Sequence, residues 1–139
     1  MKVLSLTQPW ASLVCLGVKK METRSWLTAY RGPLLIHASK NYPGWAKECE
    51  RSEPFYSALR PHGIYSYPEL RCGQIIGRCI LKNCISTEAV EELSETEREF
   101  GDYSANRYAW ILEDGQFLPK PIQAKGSLGL WEFAGELSI

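Results

Sequence analysis

Several common functional signatures are missing from this 139-residue chain. It contains no Walker loop and no G-x-S-x-G, H-E-x-x-H or G-x-G-x-x-G segment, so the usual nucleotide, serine-hydrolase, zinc-protease and dinucleotide signatures are absent. No apolar run reaches the roughly 18 residues that a membrane span requires. The formal net charge is zero, so the basic excess of many nucleic-acid binders is also lacking. We therefore expect no cofactor and no membrane contact.

Cysteine and histidine are too few and too scattered to predict a metal site. The five cysteines form no C-x-x-C pair, and only His37 and His62 are available to join them. Cys15, Cys79 and Cys84 lie in apolar patterns, where a thiol acts as a small buried hydrophobe. Reduced thiols fit the cytosol, and a Thr-Gln-Pro sequence interrupts the N-terminal apolar run that would otherwise suggest a signal peptide. We expect a cytoplasmic, soluble protein without a metal.

Composition predicts one compact domain with an uneven distribution of charge. Apolar residues make up 45% of the chain, aromatic residues 12% and charged residues 23%, which is typical of a globular protein. The length suits a single domain over residues 1–139. Residues 1–40 carry six Lys and Arg against one Glu, whereas residues 86–102 carry seven acidic residues against one Arg. One face could attract anions, although two ordinary solvated surfaces would give the same pattern.

Periodicity and turn residues predict an α+β fold. Strands are predicted over residues 3–6, 20–26, 34–38, 74–81, 107–113, 121–125 and 130–133. The pair Asp114-Gly115 is typical of a hairpin turn between two of them. Such a set of short strands with helices interspersed predicts a mixed sheet curled into a small β-barrel and flanked by short α-helices.

Helices are predicted in three places. One begins at Thr7-Gln8-Pro9 and ends near Gly17, which suits a C-terminal cap. Residues 43–60 are predicted to be helical with an interruption near Pro54, and a loop is expected over 64–71. Residues 87–101 are predicted to form one or two helical turns, where Ser94-x-x-Glu97 matches a capping box, and a plain solvated helix is the simplest interpretation.

The segment GVKKMETRSW, residues 17–26, concentrates charge on a predicted strand. Its two-residue period places Lys20, Glu22, Arg24 and Trp26 on one face, with Lys19 at the preceding turn. A carboxylate among three cations is expected to stay ionised, so it suits orienting a cation or accepting a hydrogen bond from a base amine, as carboxylates do with cytosine. A half-exposed strand with weak surface ion pairs is the alternative.

Further side chains near this segment suit nucleic-acid recognition. Arg24 is able to contact a phosphate through two N–H groups. Trp10, Trp26 and Tyr30 are close enough in sequence to offer a stacking surface. His37, within Leu-Ile-His-Ala-Ser, could serve as a general base, but a single histidine in an apolar strand is more often a hydrogen-bonded core residue.

The segment LSLTQPWASLVCLGVKKMETRSWLTAYRGPLLIHAS resembles the start of the ASCH domain, the activating signal cointegrator homology family. The family hallmark is close to G-x-K-x-x-E-x-R, which falls here on Gly17, Lys19, Glu22 and Arg24. The similarity continues through Tyr30-Arg31-Gly32 and reappears at residues 73–77 and 125–131. It covers nearly the whole chain and is weakest over 41–71 and 86–104.

The resemblance implies a PUA-like β-barrel and a role in binding RNA or another single-stranded nucleic acid. The hallmark would line a cleft between barrel and helices, with Lys19 and Arg24 on phosphate or a base edge and Glu22 holding them or contacting an amine. The full set of candidate ligand-binding residues is Gln8, Trp10, Lys19, Lys20, Glu22, Arg24, Trp26, Tyr30 and Arg31.

The resemblance also implies an enzymatic alternative. Some small ASCH proteins remove the acetyl group from N4-acetylcytidine, a modified nucleoside, with a lysine, a threonine and a glutamate. The lysine falls on Lys19, but Glu22 occupies the threonine position, Thr23 is expected to face away, and the family glutamate has no evident match. Lys19 and Glu22 are catalytic candidates only in this alternative. A ribonuclease is a further possibility, for which no clear acid–base pair is present.

A third alternative is a protein-interaction module. Its contacts to a protein partner would come from aromatic residues in the segment that resembles the family least. These are Trp45, Phe55, Tyr56, Tyr65 and Tyr67. Under any of these alternatives, the 41–71 segment could either cover the cleft or pack outside the barrel.

Overall fold

A six-stranded mixed sheet forms the centre of the fold. The computed structural model describes residues 1–64 and 70–136. Its strands are β1 (Lys2–Leu6), β2 (Met21–Arg24), β3 (Gly32–Ala38), β4 (Gln74–Ser86), β5 (Tyr108–Gln123) and β6 (Leu130–Glu132). Their order is β2-β5-β4-β3-β1-β6, and only β1 and β3 run parallel among these neighbours. The predicted α+β class is confirmed, and the sheet curls into a half-barrel with β2 and β6 as its edges.

Short helices flank the sheet. They are α1 (Trp10–Cys15), α2 (Gly44–Cys49), α3 (Phe55–Leu59) and α4 (Glu95–Phe100), with 3₁₀ turns at Arg60–His62 and Thr87–Ala89. The predicted interruption near Pro54 separates α2 from α3. Most of the loop predicted over 64–71 lies outside the described residues. None of the helices in the described parts of the chain is long and apolar enough to cross a membrane.

Alternation along the strands builds a core on each face of the sheet. Leu34 and Ile36 pack on the face that α1 covers, whereas Leu35 between them packs on the opposite face. On its other side, α1 contacts α3 and α4 through Leu13. Each fully buried side chain of this size stabilises the fold by about 1.5–3 kcal/mol. Apolar packing therefore fixes α1 to the sheet and fixes α3 and α4 to α1.

The three cysteines predicted to be buried do lie in the core. Cys15, Cys79 and Cys84 all pack on the face covered by α1, and all five cysteines are free thiols. Burial raises the pKa of Cys79 to about 12, so this thiol stays protonated at neutral pH. These residues act as small hydrophobes, as the sequence pattern indicated.

The predicted hairpin at Asp114-Gly115 is wrong, because β5 continues through it as one 16-residue strand. β4 pairs with β5 on both sides of this point, with Arg78 opposite Gln116 and Ile80 opposite Glu113. One extra β5 residue is accommodated there as a bulge, and Asp114 adopts a φ of 55°. Pairing with the long strand β4 thus outweighed the local turn preference of Asp114-Gly115. The separate strand predicted over 121–125 is largely the end of β5.

The capping box of α4 forms only in part. The Ser94 hydroxyl accepts a hydrogen bond from the Glu97 N–H at 3.0 Å, as predicted. The Glu97 carboxylate, however, is buried and accepts a hydrogen bond at 2.5 Å from the backbone N–H of Lys20, just before β2. Burial raises the pKa of Glu97, while the Lys20 N–H opposes that shift. The acidic segment therefore docks on the hallmark segment and is not a plain solvated helix.

Candidate functional site

A tight turn after α1 brings Lys19 into the interior. Gly17 adopts a φ of 76°, a conformation that favours glycine. The N–H groups of Val18 and Lys19 then both donate to the Leu13 carbonyl, each at 3.1 Å. This geometry leaves Lys19 only 1% exposed, with its Nζ donating to the Met21 carbonyl oxygen. The glycine and lysine of the hallmark thus act together to place a buried cation beneath β2.

Glu22 lies between two cations. Its Oε1 is 3.3 Å from Lys19 Nζ, and its Oε2 is 3.1 Å from Arg24 Nε. The Arg24 guanidinium also donates from Nη2 to the Ser5 carbonyl oxygen at 3.0 Å. We call Lys19, Glu22 and Arg24 the hallmark charge cluster, in which Lys19 is buried and the other two side chains are partly exposed. Because both carboxylate oxygens face fixed cations, Glu22 and Arg24 are held in one orientation by the fold.

A cleft of about 910 Å³ opens in front of Glu22 and Arg24. Strands β1, β2 and β3 supply its floor, α1 and α2 supply one tryptophan each, and the segments after α4 and β5 complete its walls. The lining residues that matter most are Ser5, Trp10, Glu22, Arg24, His37, Lys40, Trp45, Glu99, Asp102, Arg107, Lys125 and Gly126. Its volume is within the range of about 300–1,000 Å³ that is usual for ligand pockets.

Two tryptophans form an aromatic wall of the cleft. Trp10 is fixed by a hydrogen bond from its Nε1 to the Phe100 carbonyl oxygen at 2.7 Å and by an edge-to-face contact with Phe55. The ring of Trp45 lies 5.8 Å from that of Trp10 and is 62% exposed. A partly exposed ring beside an anchored one offers an apolar surface of the kind on which bases stack.

His37 lies in the floor with both ring nitrogens occupied. Nε2 is 2.8 Å from the Ala124 carbonyl oxygen, which only accepts, so Nε2 carries the proton and Nδ1 accepts from the Ser5 hydroxyl at 2.9 Å. Ser5 in turn accepts from Trp131 Nε1 at 3.0 Å. Burial lowers the pKa of His37, while the hydrogen bond to Ala124 opposes that shift. His37 is thus a neutral, fully bonded residue, as the simpler interpretation of the sequence held.

The loop after β5 is packed directly on His37. A Cβ added to Gly126 would lie 2.7 Å from Cε1 of His37 and 2.9 Å from the Ser5 hydroxyl, so only glycine fits there. The next strand returns to the same place, because Trp131 of β6 donates to Ser5. The motif at residues 125–131 therefore fixes a loop that carries Lys125 to the edge of the cleft.

The shared strand face predicted for four residues of the hallmark segment is wrong for two of them. β2 ends at Arg24 and begins at Met21, so the alternation does not extend to Lys20 or Trp26. Lys20 is exposed and lines a separate depression beside α4. Trp26 packs edge-to-face on Trp110 at 4.7 Å, with its carbonyl accepting from Trp110 Nε1 at 3.3 Å. Only Glu22 and Arg24 of this group line the cleft.

Three other predicted site residues make contacts outside the cleft. Gln8 is fully buried, accepts from the Ser12 N–H at 3.0 Å and donates to the Arg71 carbonyl oxygen at 2.9 Å. The Tyr30 hydroxyl donates to the Pro33 carbonyl oxygen at 2.5 Å. Arg31 donates to the Thr28 and Tyr30 carbonyl oxygens at 2.9 and 2.8 Å. These contacts organise the chain around the cleft without lining it.

Thr23 was expected to face away from Glu22, yet it lines the same cleft. Its hydroxyl accepts a hydrogen bond from the Asp102 N–H at 3.1 Å. Asp102 in turn lies 3.6 Å from Arg107 Nε, and Arg107 Nη2 donates to the Thr23 carbonyl oxygen at 3.2 Å. Hydrogen bonds from Ser104 and the nearby Arg107 lower the pKa of Asp102. Asp102 and Arg107 thus form a paired wall of the cleft.

Sequence reasoning missed several cleft residues. The sequence pattern assigns Trp45 to a protein-interaction surface and singles out neither Lys40 nor Lys125, although Lys125 begins the downstream family motif. Of the aromatics in the interaction hypothesis, Phe55 is buried under Trp10, while Tyr65 and Tyr67 lie outside the described residues. No local signal marks Trp45 or Lys40, because they join the site only through the tertiary fold.

Comparison with known proteins gives a consistent family match. A family model described as the ASCH domain matches residues 4–118. Activating signal cointegrator 1 of mouse and that of human are each 28% identical to this chain over 134 residues, which is 96% of this chain and 22% of the relative. The chain therefore spans about a fifth of the length of these curated relatives.

Among solved structures, the chain is similar to a protein from Zymomonas mobilis. The crystal structure of ASCH from that organism has a TM-score of 0.49 and 19% identity, covering 88% of this chain and 72% of that chain. A mutant of the same protein, in which phenylalanine replaces one tyrosine, has a TM-score of 0.49 and 18% identity, covering 88% of this chain and 74% of that chain.

Proposed function

This chain belongs to the ASCH domain family, and from that premise we propose that its cleft binds RNA or a nucleotide-like ligand through one unpaired base. One observation carries the proposal: Glu22 and Arg24, held in a fixed orientation, share a cleft with the exposed ring of Trp45. An unpaired base requires both features, since its edge offers hydrogen bonds and its faces are apolar.

The edge of the base would meet Glu22 and Arg24. A carboxylate accepts hydrogen bonds only, and it pairs well with the exocyclic amine of cytosine. Arg24 uses Nη2 on the Ser5 carbonyl and Nε beside Glu22, and its guanidinium carries further N–H donors. A neighbouring acceptor and donor suit a base that presents an amine beside a ring nitrogen or carbonyl. Cytosine is the base that we expect to fit best.

The face of the base would stack on the aromatic wall. Trp10 is fixed by Phe100 and Phe55, so the exposed Trp45 ring is the part left to contact a ligand. Alanine substitution of a stacking aromatic weakens binding by about 1–3 kcal/mol per base. That range corresponds to roughly a fivefold to more than a hundredfold increase in Kd.

Titration of short single-stranded oligocytidine RNA tests this proposal. We expect Arg24→Gln to weaken binding about tenfold or more, since a hydrogen bond to a charged group contributes about 1.5–3 kcal/mol. Arg31→Gln is the matched control, because Arg31 is exposed and lies outside the cleft. Trp45→Ala should also weaken binding, with Phe117→Ala as its control at an exposed aromatic away from the cleft. Equal binding by Arg24→Gln and Arg31→Gln would contradict the proposal.

The amidohydrolase alternative receives less support from the geometry. Lys19 is buried behind Glu22 and does not line the cleft, and the Thr23 hydroxyl is engaged by Asp102. We expect no cytidine when the protein is incubated with N4-acetylcytidine and the mixture is separated by chromatography. Release of cytidine that is lost in Glu22→Gln would replace the binding proposal with an enzymatic one.

A further inference from the structure

The cations that line the cleft fall into two groups. Arg24 is engaged by Glu22 and the Ser5 carbonyl, and Arg107 by Asp102 and the Thr23 carbonyl. Lys40 and Lys125 also line the cleft, and both are exposed. Within residues 1–64 and 70–136 no ion pair engages either lysine. The two arginines are therefore bound by groups of the protein, whereas the two lysines remain available to a ligand.

Backbone hydrogen bonds bring the two lysines to the same edge. The Gly73 N–H donates to the Ala38 carbonyl oxygen at 2.7 Å, and the Ala124 N–H donates to the Gly73 carbonyl oxygen at 3.3 Å. Ala38 ends β3 and Ala124 follows the end of β5, and both of these strands pair with β4. Lys40 and Lys125 therefore follow two strand ends that Gly73 joins. We call this edge the lysine lip. It is held further by His37, whose Nε2 bonds to Ala124.

Positive and negative side chains therefore line different parts of the cleft. Besides Glu22, its lining carboxylates are Glu99 and Asp102, both in the segment at and after the end of α4. Asp102 is neutralised by Arg107, whereas Glu99 is exposed and forms no ion pair within the described parts of the chain. A ligand that carries a base at one side and negative charge at the other would therefore be oriented, with its charge toward the lysine lip.

We propose that the lysine lip contacts the phosphodiester backbone of a bound strand, so that the ligand class is a polynucleotide chain and not a free nucleoside. This inference rests on the proposed function, which places one base against Glu22, Arg24 and Trp45. The lip adds the phosphates next to that base, with Lys40 and Lys125 each neutralising one. Lysine suits this role because its ammonium group is a mobile point charge that does not demand one phosphate orientation.

Salt dependence of binding separates this inference from the proposed function. For single strands, the logarithm of the binding constant falls with the logarithm of salt concentration by about 0.7 for each phosphate neutralised. We expect Lys40→Ala/Lys125→Ala to reduce that slope for oligocytidine RNA by about 1.4 relative to wild type. Lys120→Ala, at an exposed lysine of β5 outside the cleft, is the matched charge control and should leave the slope unchanged.

Cytidine nucleoside, which has no phosphate, is the second probe. Wild type and the double lysine variant should bind it equally weakly, whereas Arg24→Gln should weaken binding of both probes. An unchanged salt slope for RNA in the double variant, with Arg24→Gln still impaired, overturns the lysine lip and leaves the proposed function standing. If Arg24→Gln binds RNA as wild type does, the proposed function fails instead. If cytidine binding is too weak to measure, the RNA salt slopes alone decide.

Discussion

The hallmark charge cluster and the lysine lip adjoin the same cleft, yet their charges are held in opposite ways. In the cluster, Lys19 is 1% exposed and Glu22 lies within 3.3 Å of Lys19 and 3.1 Å of Arg24. In the lip, Lys40 and Lys125 are exposed, and the fold fixes their backbones and not their ammonium groups. The cluster is fixed before any ligand arrives, whereas the lip is free to adapt.

A charge that the fold holds in place and a charge that is free to move contribute differently to ligand binding. A buried charge must be paired, because its desolvation costs several kcal/mol that only close partners offset. The same pairing gives the atoms a defined direction, which selective recognition of a base edge requires. An exposed lysine has little desolvation cost, and its ammonium group has no fixed direction. It therefore contributes affinity for phosphate without selecting a sequence. In the proposed complex, the cluster would select the base and the lip would add affinity for the phosphates.

Lys19→Met should produce the largest effect, since it tests whether the cluster depends on its buried cation. Removing one partner of a buried ion pair typically costs about 3–5 kcal/mol. We expect a loss near the lower end of that range, because Arg24 still faces Glu22. The measurement is the free energy of unfolding in urea.

Lys40→Met is the matched control for that experiment. It makes the same substitution on the lip, where a surface change normally alters stability by less than about 0.5 kcal/mol. Equal urea midpoints of unfolding for Lys19→Met and Lys40→Met would show that the buried Lys19 stabilises the fold no more than the exposed Lys40 does.

The sequence allowed the cluster to be predicted better than the lip. Glu22 and Arg24 are two residues apart, so strand alternation alone places them on one face. The predicted strand over residues 20–26 is too long, because β2 has only four residues. The Lys20 N–H donates to Glu97 instead, and Trp26 packs on Trp110. Local patterns therefore placed Glu22 and Arg24 correctly on one strand face and overestimated the length of that strand.

The lip and the aromatic wall had no such local signal. Lys40 and Lys125 are separated by 85 positions and become neighbours through Gly73, which bonds to the ends of two strands. Trp45 joins Trp10 only because α1 and α2 pack on the same side. The fold class was predictable because it depends on many short patterns together. These contacts were not, because each depends on one long-range packing arrangement.

Gly126→Ala should produce an intermediate effect, because it tests whether the lip is positioned by packing. The added Cβ would lie 2.7 Å from Cε1 and 2.9 Å from Nδ1 of His37, whose ring is fixed by two hydrogen bonds. The loop must shift, at a cost of about 1–3 kcal/mol for overpacking. We expect lower unfolding free energy and weaker binding of oligocytidine RNA.

Ser127→Ala is the matched control for the loop. Ser127 is exposed and the substitution adds no atoms, so unfolding free energy should stay close to that of wild type. If Gly126→Ala binds RNA with the wild-type salt slope, Lys125 does not depend on the position of this loop.

His37→Gln should produce the smallest effect, visible as a change in pH dependence. Burial lowers the pKa of His37 in the folded protein, whereas an unfolded chain has a histidine pKa of about 6.5. As pH falls below about 6.5, the unfolded chain gains a proton that the folded protein does not, so the contribution of His37 to stability declines. That contribution is fully present only above this pH.

His37→Gln tests the effect of protonation alone. The glutamine N–H is able to keep the hydrogen bond to the Ala124 carbonyl, but the glutamine side chain does not titrate. Other titrating groups, including Glu97 with its raised pKa, are common to both proteins and cancel when the two stability curves are subtracted. We expect the stability of wild type relative to His37→Gln to fall as the pH of the urea titration is lowered below about 6.5. A difference that stays constant with pH would mean that His37 takes up its proton without disturbing Ser5 or Ala124. The lip would then be held by the packing of Gly126 and the hydrogen bonds of Gly73, and its position would not depend on the neutral histidine beneath it.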